Sequence, residues 1–221
     1  MGYPSISLVL PTIGREGLEA SLDAIVAAGI SRHDELLCMV DGEHQLQTVD
    51  RICAHPIYKV AMVRTFLMMD NGGAWGHPGR NRGMGEVRRG DVVMFTQDDQ
   101  LLVPGALRVV RSVLRADPEW KRKGHMFQVV PRNGGMMPVR DGETNLGHID
   151  ADCVCLPMDL SRYFSRWASD YNGDNAFICQ TKAAMEVAGY GFAYHMALIS
   201  VNEAKLDSYP EMFRVAEGAV A

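Results

Sequence analysis

The sequence predicts an α/β fold, with helices flanking a mostly parallel sheet. Three observations carry that prediction. Apolar runs alternate with helix-period segments through the first half of the chain, and strands separated by helices pair in parallel with right-handed crossovers. The chain has 221 residues, 47% hydrophobic and 22% charged, which suits one folded domain with a sizeable core. The apolar runs stop at turn or polar residues, and those stops fall at one edge, the carboxyl ends of the strands, where open α/β sheets bind ligands.

The elements follow in order. SISLVL (5–10) reads as a buried strand ended by Pro11. In 17–29, Leu18, Leu22, Ile25 and Val26 recur at helical spacing, and Gly29 stops the helix. ELLCMV (35–40) is a second strand, closed by Asp41 and Gly42. Residues 44–55 form a second helix, and 58–67 contain a third strand. A glycine-rich loop, DNGGAWGHPG (70–79), leads into a helix at 80–89 that Gly83 and Gly85 weaken. DVVMF (91–95) is a fourth strand running into Asp98 and Asp99, and the helix over 104–117 has a proline in its first turn. The second half is less regular: strands at 125–131, 148–157 and 190–200, helices at 158–171 and 172–189, and a long polar loop at 132–147.

The net charge of −5 argues against a chain whose main task is gripping nucleic acid. Five cysteines, at 38, 53, 153, 155 and 179, form no C-x-x-C pair and read as reduced thiols. The N-terminus lacks the pattern of a signal peptide, and no stretch reaches the roughly 20 apolar residues of a membrane span. The expectation is a soluble, cytoplasmic chain without a membrane span.

Two adjacent carboxylates, Asp98 and Asp99, repel one another, so folding alone gives no reason to pair them. A bound metal ion or a polyhydroxyl ligand does, and a pair capping a turn is the structural alternative. Around them four motifs stand in series: LVLPTIGR (8–15), MVDGE (39–43), NGGAWGHPGRNRGM (71–84) and MFTQDDQLLVPGAL (94–107). In this order they resemble the GT-A glycosyltransferases, in particular the inverting family 2. The resemblance covers residues 5–107 and is loose beyond them.

That resemblance implies one GT-A (Rossmann-like) domain over 1–221, with a nucleotide-sugar half (1–107) and a less regular acceptor half (108–221). It implies a nucleotide-sugar donor, UDP-sugar by preference, and Mn²⁺ or Mg²⁺ as cofactor. The acceptor is a hydroxyl on a glycan, a small molecule or a polymer such as modified DNA. Asp99 takes the metal-ligand position and Asp98 the ribose position. Asp41 is placed for the uracil N–H; Pro11, Thr12, Asn71, Arg80, Asn81 and Gln97 complete the donor set. His195 is a further metal-ligand candidate. Asp174, at the start of a late helix ending in Ala188-Gly189-Tyr190, is the candidate general base, with Asp170 second. His148 and Asp150 line the acceptor side, and Trp75 and Trp167 are candidates to stack on a sugar. Two positions depart from the pattern: Gln97 stands where an acid is common, and Asp174-Asn175 replaces Glu-Asp.

Two other functions compete. A nucleotidyltransferase would share the sheet and metal site, but PTIGREG (11–17) lacks that class's glycine-rich phosphate loop. A non-catalytic nucleotide-sugar-binding module fits the two departures. Finally, Arg108, Arg111 and Arg115 share one helix face, read as solvated or as a surface for a polyanion or an anionic membrane.

Overall fold

The computed structural model describes residues 3–68, 76–132, 135–137, 150–168 and 172–208. Its strands are β1 (Ile6–Thr12), β2 (Glu35–Val40), β3 (Met62–Leu67), β4 (Val92–Phe95), β5 (Gln100–Leu102), β6 (Lys123–Val130), β7 (Val154–Pro157) and β8 (Gly191–Asn202). Its α-helices are α1 (Leu18–Ala27), α2 (Gln45–Ala54), α3 (His77–Glu86), α4 (Ala106–Ala116) and α5 (Gly173–Val187). The strands form one sheet in the order β3-β2-β1-β4-β7-β6-β8-β5.

The first half is parallel, as its strand–helix alternation predicts. Thr12 lies beside Val40, Val40 beside Leu67 and Val9 beside Phe95, which aligns the carboxyl ends of β1 to β4. β1, β2 and β4 are buried along their whole length, because helices cover both faces. The second half is mixed: β7 runs antiparallel to β4 and β6, β6 is parallel to β8, and β5 is antiparallel to β8.

α3 forms despite its glycines because they let it sit close to the sheet. A Cβ on Gly83 would lie 2.4 Å from Val9 Cγ1, and one on Gly79 3.0 Å from Met39 Cβ. At the opposite end of the sheet two buried acids tie strands together. Asp34 accepts from the Ile6 amide, from the Ser31 amide and hydroxyl, and from the Arg111 guanidinium. Glu35 accepts from the Ser7 hydroxyl and from the amides of Arg88 and Arg89. Burial pushes the Glu35 carboxyl up, but those three donors and the Arg64 charge outweigh it and hold it below the ordinary glutamate range.

Three elements differ from expectation. The Asp98–Asp99 pair does not lead directly into a helix; β5 intervenes, three residues paired to the end of β8. Of the helix expected over 158–171, the described residues form only a 3-10 turn, Met158–Tyr163, followed by non-helical chain to Ala168. Tertiary bonds take the backbone groups of that chain: Thr181 Oγ1 accepts from the Ser165 amide, and the Asn81 side chain pairs with both backbone groups of Trp167. Of the strand expected over 148–157, Val154–Pro157 pair in the sheet, while the Asp150 carboxylate accepts from the Asp152 amide and closes a turn before them.

The two α3 glycines at positions 83 and 85 give opposite expectations. Gly83→Ala forces a methyl against Val9 and should destabilise the protein by about 1–3 kcal/mol, a cost that better helix propensity offsets only in part. A Cβ on Gly85 meets nothing within 4 Å, so Gly85→Ala should stabilise by up to about 1 kcal/mol. Urea denaturation of both variants measures the signs; equal signs would refute the close-packing account.

Candidate active site

Asp98 is buried and Asp99 partly exposed at the turn after β4. The Thr12 hydroxyl donates to Asp98 Oδ2 over 2.8 Å, and the Ile13 amide approaches the same oxygen at 3.3 Å. Arg15 Nη1 lies 3.3 Å from Asp98 Oδ1 and 3.1 Å from Asp99 Oδ2. One guanidinium therefore offsets the repulsion between the neighbouring carboxylates. The turn is also held from behind, since the Asp99 carbonyl accepts from the Glu203 amide and from Asn202 Nδ2 at the end of β8. Arg15 is held in turn: Arg51 donates to the carbonyls of Gly14 and Arg15 and pairs with Glu19.

A second carboxylate center forms where α3 meets the start of α5. Trp167 Nε1 donates to Asp174 Oδ1 over 2.8 Å; His77 Nε2 lies 3.4 Å and Arg80 Nη1 3.7 Å from the same oxygen. His77 Nδ1 is 2.6 Å from the Ala168 carbonyl, which makes that nitrogen the donor. The ring fits only because position 173 is glycine: a Cβ there would stand 2.3 Å from His77 Cε1. Burial pushes the Asp174 carboxyl up, but the Arg80 charge, His77 and the Trp167 N–H outweigh it and hold it below the usual aspartate range. Among the described residues all three contacts fall on Oδ1, and the side chain is 25% exposed, which leaves Oδ2 as the oxygen for a ligand.

Asp150 and Asp152 lie under the same electrostatic influence. Burial, then the Asp174 charge, pushes the Asp150 carboxyl up to about 6. Asp152 is fully buried, and among the described residues neither of its carboxylate oxygens has a hydrogen-bond partner. Burial, then the Asp150 charge, pushes its carboxyl well above the aspartate range, with Arg80 opposing.

No protein-family profile matches the sequence, and no curated protein does. Solved structures do. S. aureus TarS superposes with a TM-score of 0.65 at 15% identity over 94% of this chain. A mannosyltransferase from Pyrobaculum calidifontis, in complex with GDP-Man and Mn²⁺, gives 0.59 at 14% identity over 90%. GalNAc-T7 with UDP, GalNAc and Mn²⁺ gives 0.61 at 11% over 90%. The fold is GT-A. The chain spans 38% of the length of the TarS structure, 57% of the mannosyltransferase and 43% of GalNAc-T7.

Within this GT-A fold the sequence-derived residues divide into groups. Asp98 and Asp99 come together at the carboxyl ends of the strands, and Asp41 stands at the end of β2, its Oδ1 taking the Gly42 amide. Gln97 precedes them, its carbonyl accepting from the Gln100 amide. Pro11 packs under Gly76 and Gly79, and the Thr12 hydroxyl is committed to Asp98. Arg80 is not a surface arginine but a buried partner of Asp174, and Asn81 clasps the Trp167 backbone. Trp167 is a core residue, stacked on Phe177 at 3.4 Å and edge-on to Phe95. His195 is separated from Asp99. It lies seven residues before Asn202 on β8, roughly 20 Å of strand away, stacked on Phe127 and 3.1 Å from His125 Nδ1. Asn71, Trp75, His148 and Asp170 lie outside the described residues. Sequence reasoning missed Arg15 and His77. Arg15 was legible as the one cation in the loop after the first strand; His77 carried no signal.

Asp150 and Asp152, more protonated when folded than unfolded, should make stability fall as pH rises above about 4. The fall attributable to Asp150 ends near pH 6. Asp152→Asn should abolish its own share, so the variant gains on the parent by up to about 1.4 kcal/mol per pH unit above pH 4. Denaturant melts from pH 4 to 8 test this; a constant difference between the two proteins would show that Asp152 is not held neutral.

Proposed function

We propose that the chain is a glycosyltransferase moving a sugar from a nucleotide-diphosphate donor, by preference a UDP-sugar, to an acceptor hydroxyl with inversion. One observation carries the reading. At the edge of the sheet where GT-A folds bind ligands stand a partly exposed Asp99 and, in its electrostatic neighborhood through Asp150, an Asp174 with one oxygen committed and one available. The neighbors crystallised with nucleotides and Mn²⁺ support the donor class.

Among the described residues no three metal-ligating side chains cluster. The partly exposed Asp99 carboxylate fits a hard cation such as Mg²⁺ or Mn²⁺, which it would hold together with oxygens of the donor. Bound there, the cation supplies Lewis-acid stabilisation of the departing diphosphate. The chain's residues do the rest. Asp41 accepts the base N–H, and Asp98 Oδ1 accepts a ribose hydroxyl. Asp174 Oδ2 takes the acceptor's proton as its oxygen bonds to the anomeric carbon. The bond from that carbon to the diphosphate oxygen breaks, and the nucleoside diphosphate leaves with the electron pair.

A non-catalytic binding module is the second reading, and the low basicity of Asp174 favors it. Calorimetry with UDP and Mn²⁺, followed by donor hydrolysis, separates the two. The parent should bind UDP only with the cation, and Asp99→Asn should lose that binding. Asp174→Asn should bind UDP within about threefold of the parent and lose turnover by roughly a hundredfold or more. Undiminished UDP–Mn²⁺ binding by Asp99→Asn sinks the metal assignment; binding without turnover on any donor leaves the module.

A further inference from the structure

The arginine face of α4 is not used by the proposed chemistry, and the structure gives it a shape. Arg108, Arg111, Ser112 and Arg115 line a groove of about 420 Å³ with Tyr3, which is 53% exposed. That volume lies within the range of small-molecule sites. Tyr3 precedes β1, so the groove lies at the amino-terminal edge of the sheet, roughly 30 Å of strand from the Asp98 turn.

Its arginines are not equivalent. Arg111 is buried, bound to Asp34 and donating to the Gly29 carbonyl, so its charge is already matched and it forms a rigid wall. Arg108 and Arg115 are exposed, and among the described residues neither has an acidic partner. Arg108 is nevertheless positioned. It lies across two glycines in the left-handed region, Gly29 (φ 93°) and Gly105 (φ 80°), where an added Cβ would stand 3.0 Å and 3.1 Å from its guanidinium nitrogens. The Arg115 and Arg111 guanidinium carbons lie 5.5 and 5.4 Å from the Tyr3 ring centroid. Two unmatched guanidinium groups thus flank a polar, aromatic-edged groove, carried on Cα atoms two helical turns, or on the order of 10 Å, apart along the axis.

We propose that this groove is an anion-binding site, separate from the nucleotide cleft, for a small phosphorylated molecule carrying two anionic groups. Guanidinium forks match phosphate oxygens in pairs. The two free charges of Arg108 and Arg115 match a ligand of that valence, and the Ser112 hydroxyl offers it a neutral donor.

Inorganic pyrophosphate and phosphate serve as probes, titrated by calorimetry in EDTA so that cation-dependent binding in the cleft is silent. The parent should bind one pyrophosphate at least tenfold more tightly than phosphate. Arg108→Ala/Arg115→Ala should weaken pyrophosphate at least tenfold, with an unchanged melting temperature because both side chains are exposed. Asp99→Asn should bind pyrophosphate as the parent does, which keeps this test independent of the glycosyltransferase reading. No pyrophosphate binding by the parent, binding by the double variant within twofold of the parent, or loss of binding in Asp99→Asn would each overturn the proposal.

Discussion

The bond from Thr12 to Asp98 fixes the end of β1 to the turn that leaves β4, and the rest of the site is arranged around that junction. The two strands are already paired, Val9 beside Phe95, but pairing alone does not set the direction in which the chain leaves the sheet. A buried carboxylate that accepts from a hydroxyl and a backbone amide of one strand end does set it, because leaving those donors unmatched would cost on the order of 1–3 kcal/mol each. Asp98 is therefore unavailable to swing outward. Asp99, next in sequence, is held by its backbone carbonyl rather than its side chain, so its carboxylate remains at the surface with Arg15 beside it. Two adjacent residues of one type are thus given different tasks by what their backbones and side chains already bond.

The same division recurs at Asp174, within a single carboxylate. Trp167, His77 and Arg80 converge on Oδ1 and, among the described residues, leave Oδ2 outside the network. Two of those partners, Trp167 and His77, are themselves held. Asn81 clasps the Trp167 backbone, the Ala168 carbonyl orients His77, and Gly173 makes room for the imidazole ring. Such support keeps a group in one rotamer, which lowers the entropy lost when it engages a ligand. It also lowers basicity. Under the proposed reading the Asp174 carboxylate stays ionised into mildly acidic conditions, and positioning rather than proton affinity carries its contribution.

The parallel half of the fold was legible because its signals are local. Continuous apolar runs and helical periods at Leu18, Leu22 and Ile25 need no knowledge of the rest of the chain. β5 was not legible: three residues following two aspartates carry no periodicity, and they are a strand only because the end of β8 pairs with them. The 158–171 segment has helical composition, yet Asn81 and Thr181, distant in sequence, take the backbone groups of Trp167 and Ser165 that a helix would use. The site divides in the same way. Asp98 and Asp99 announced themselves by mutual repulsion. Arg80 was placed in the donor set because nothing near it in sequence reveals its ion pair with Asp174, and Trp167 looked available because its stacking partner Phe177 belongs to the next helix. His195 was placed near the metal position by family analogy, whereas strand register sets it midway along β8, seven residues from the end that pairs with the Asp99 turn.

Charge balance at the carboxyl edge gives the proposed chemistry its requirement for a cation. Asp41, Asp98, Asp99 and Asp174 stand there, and Asp150 joins them as pH rises through about 6. Against them the described residues set Arg15 and Arg80, and Arg80 is buried against Asp174. A diphosphate brought next to Asp99 would meet a like charge; at about 4 Å and an effective dielectric near 20 that repulsion is about 4 kcal/mol per charge pair. A divalent ion between them reverses the sign of both contacts at once, whereas Arg15 can turn to the phosphate only by leaving the Asp98–Asp99 pair unmatched. The feature that stabilises the ligand-free turn is therefore the one that makes a second cation necessary when the donor arrives.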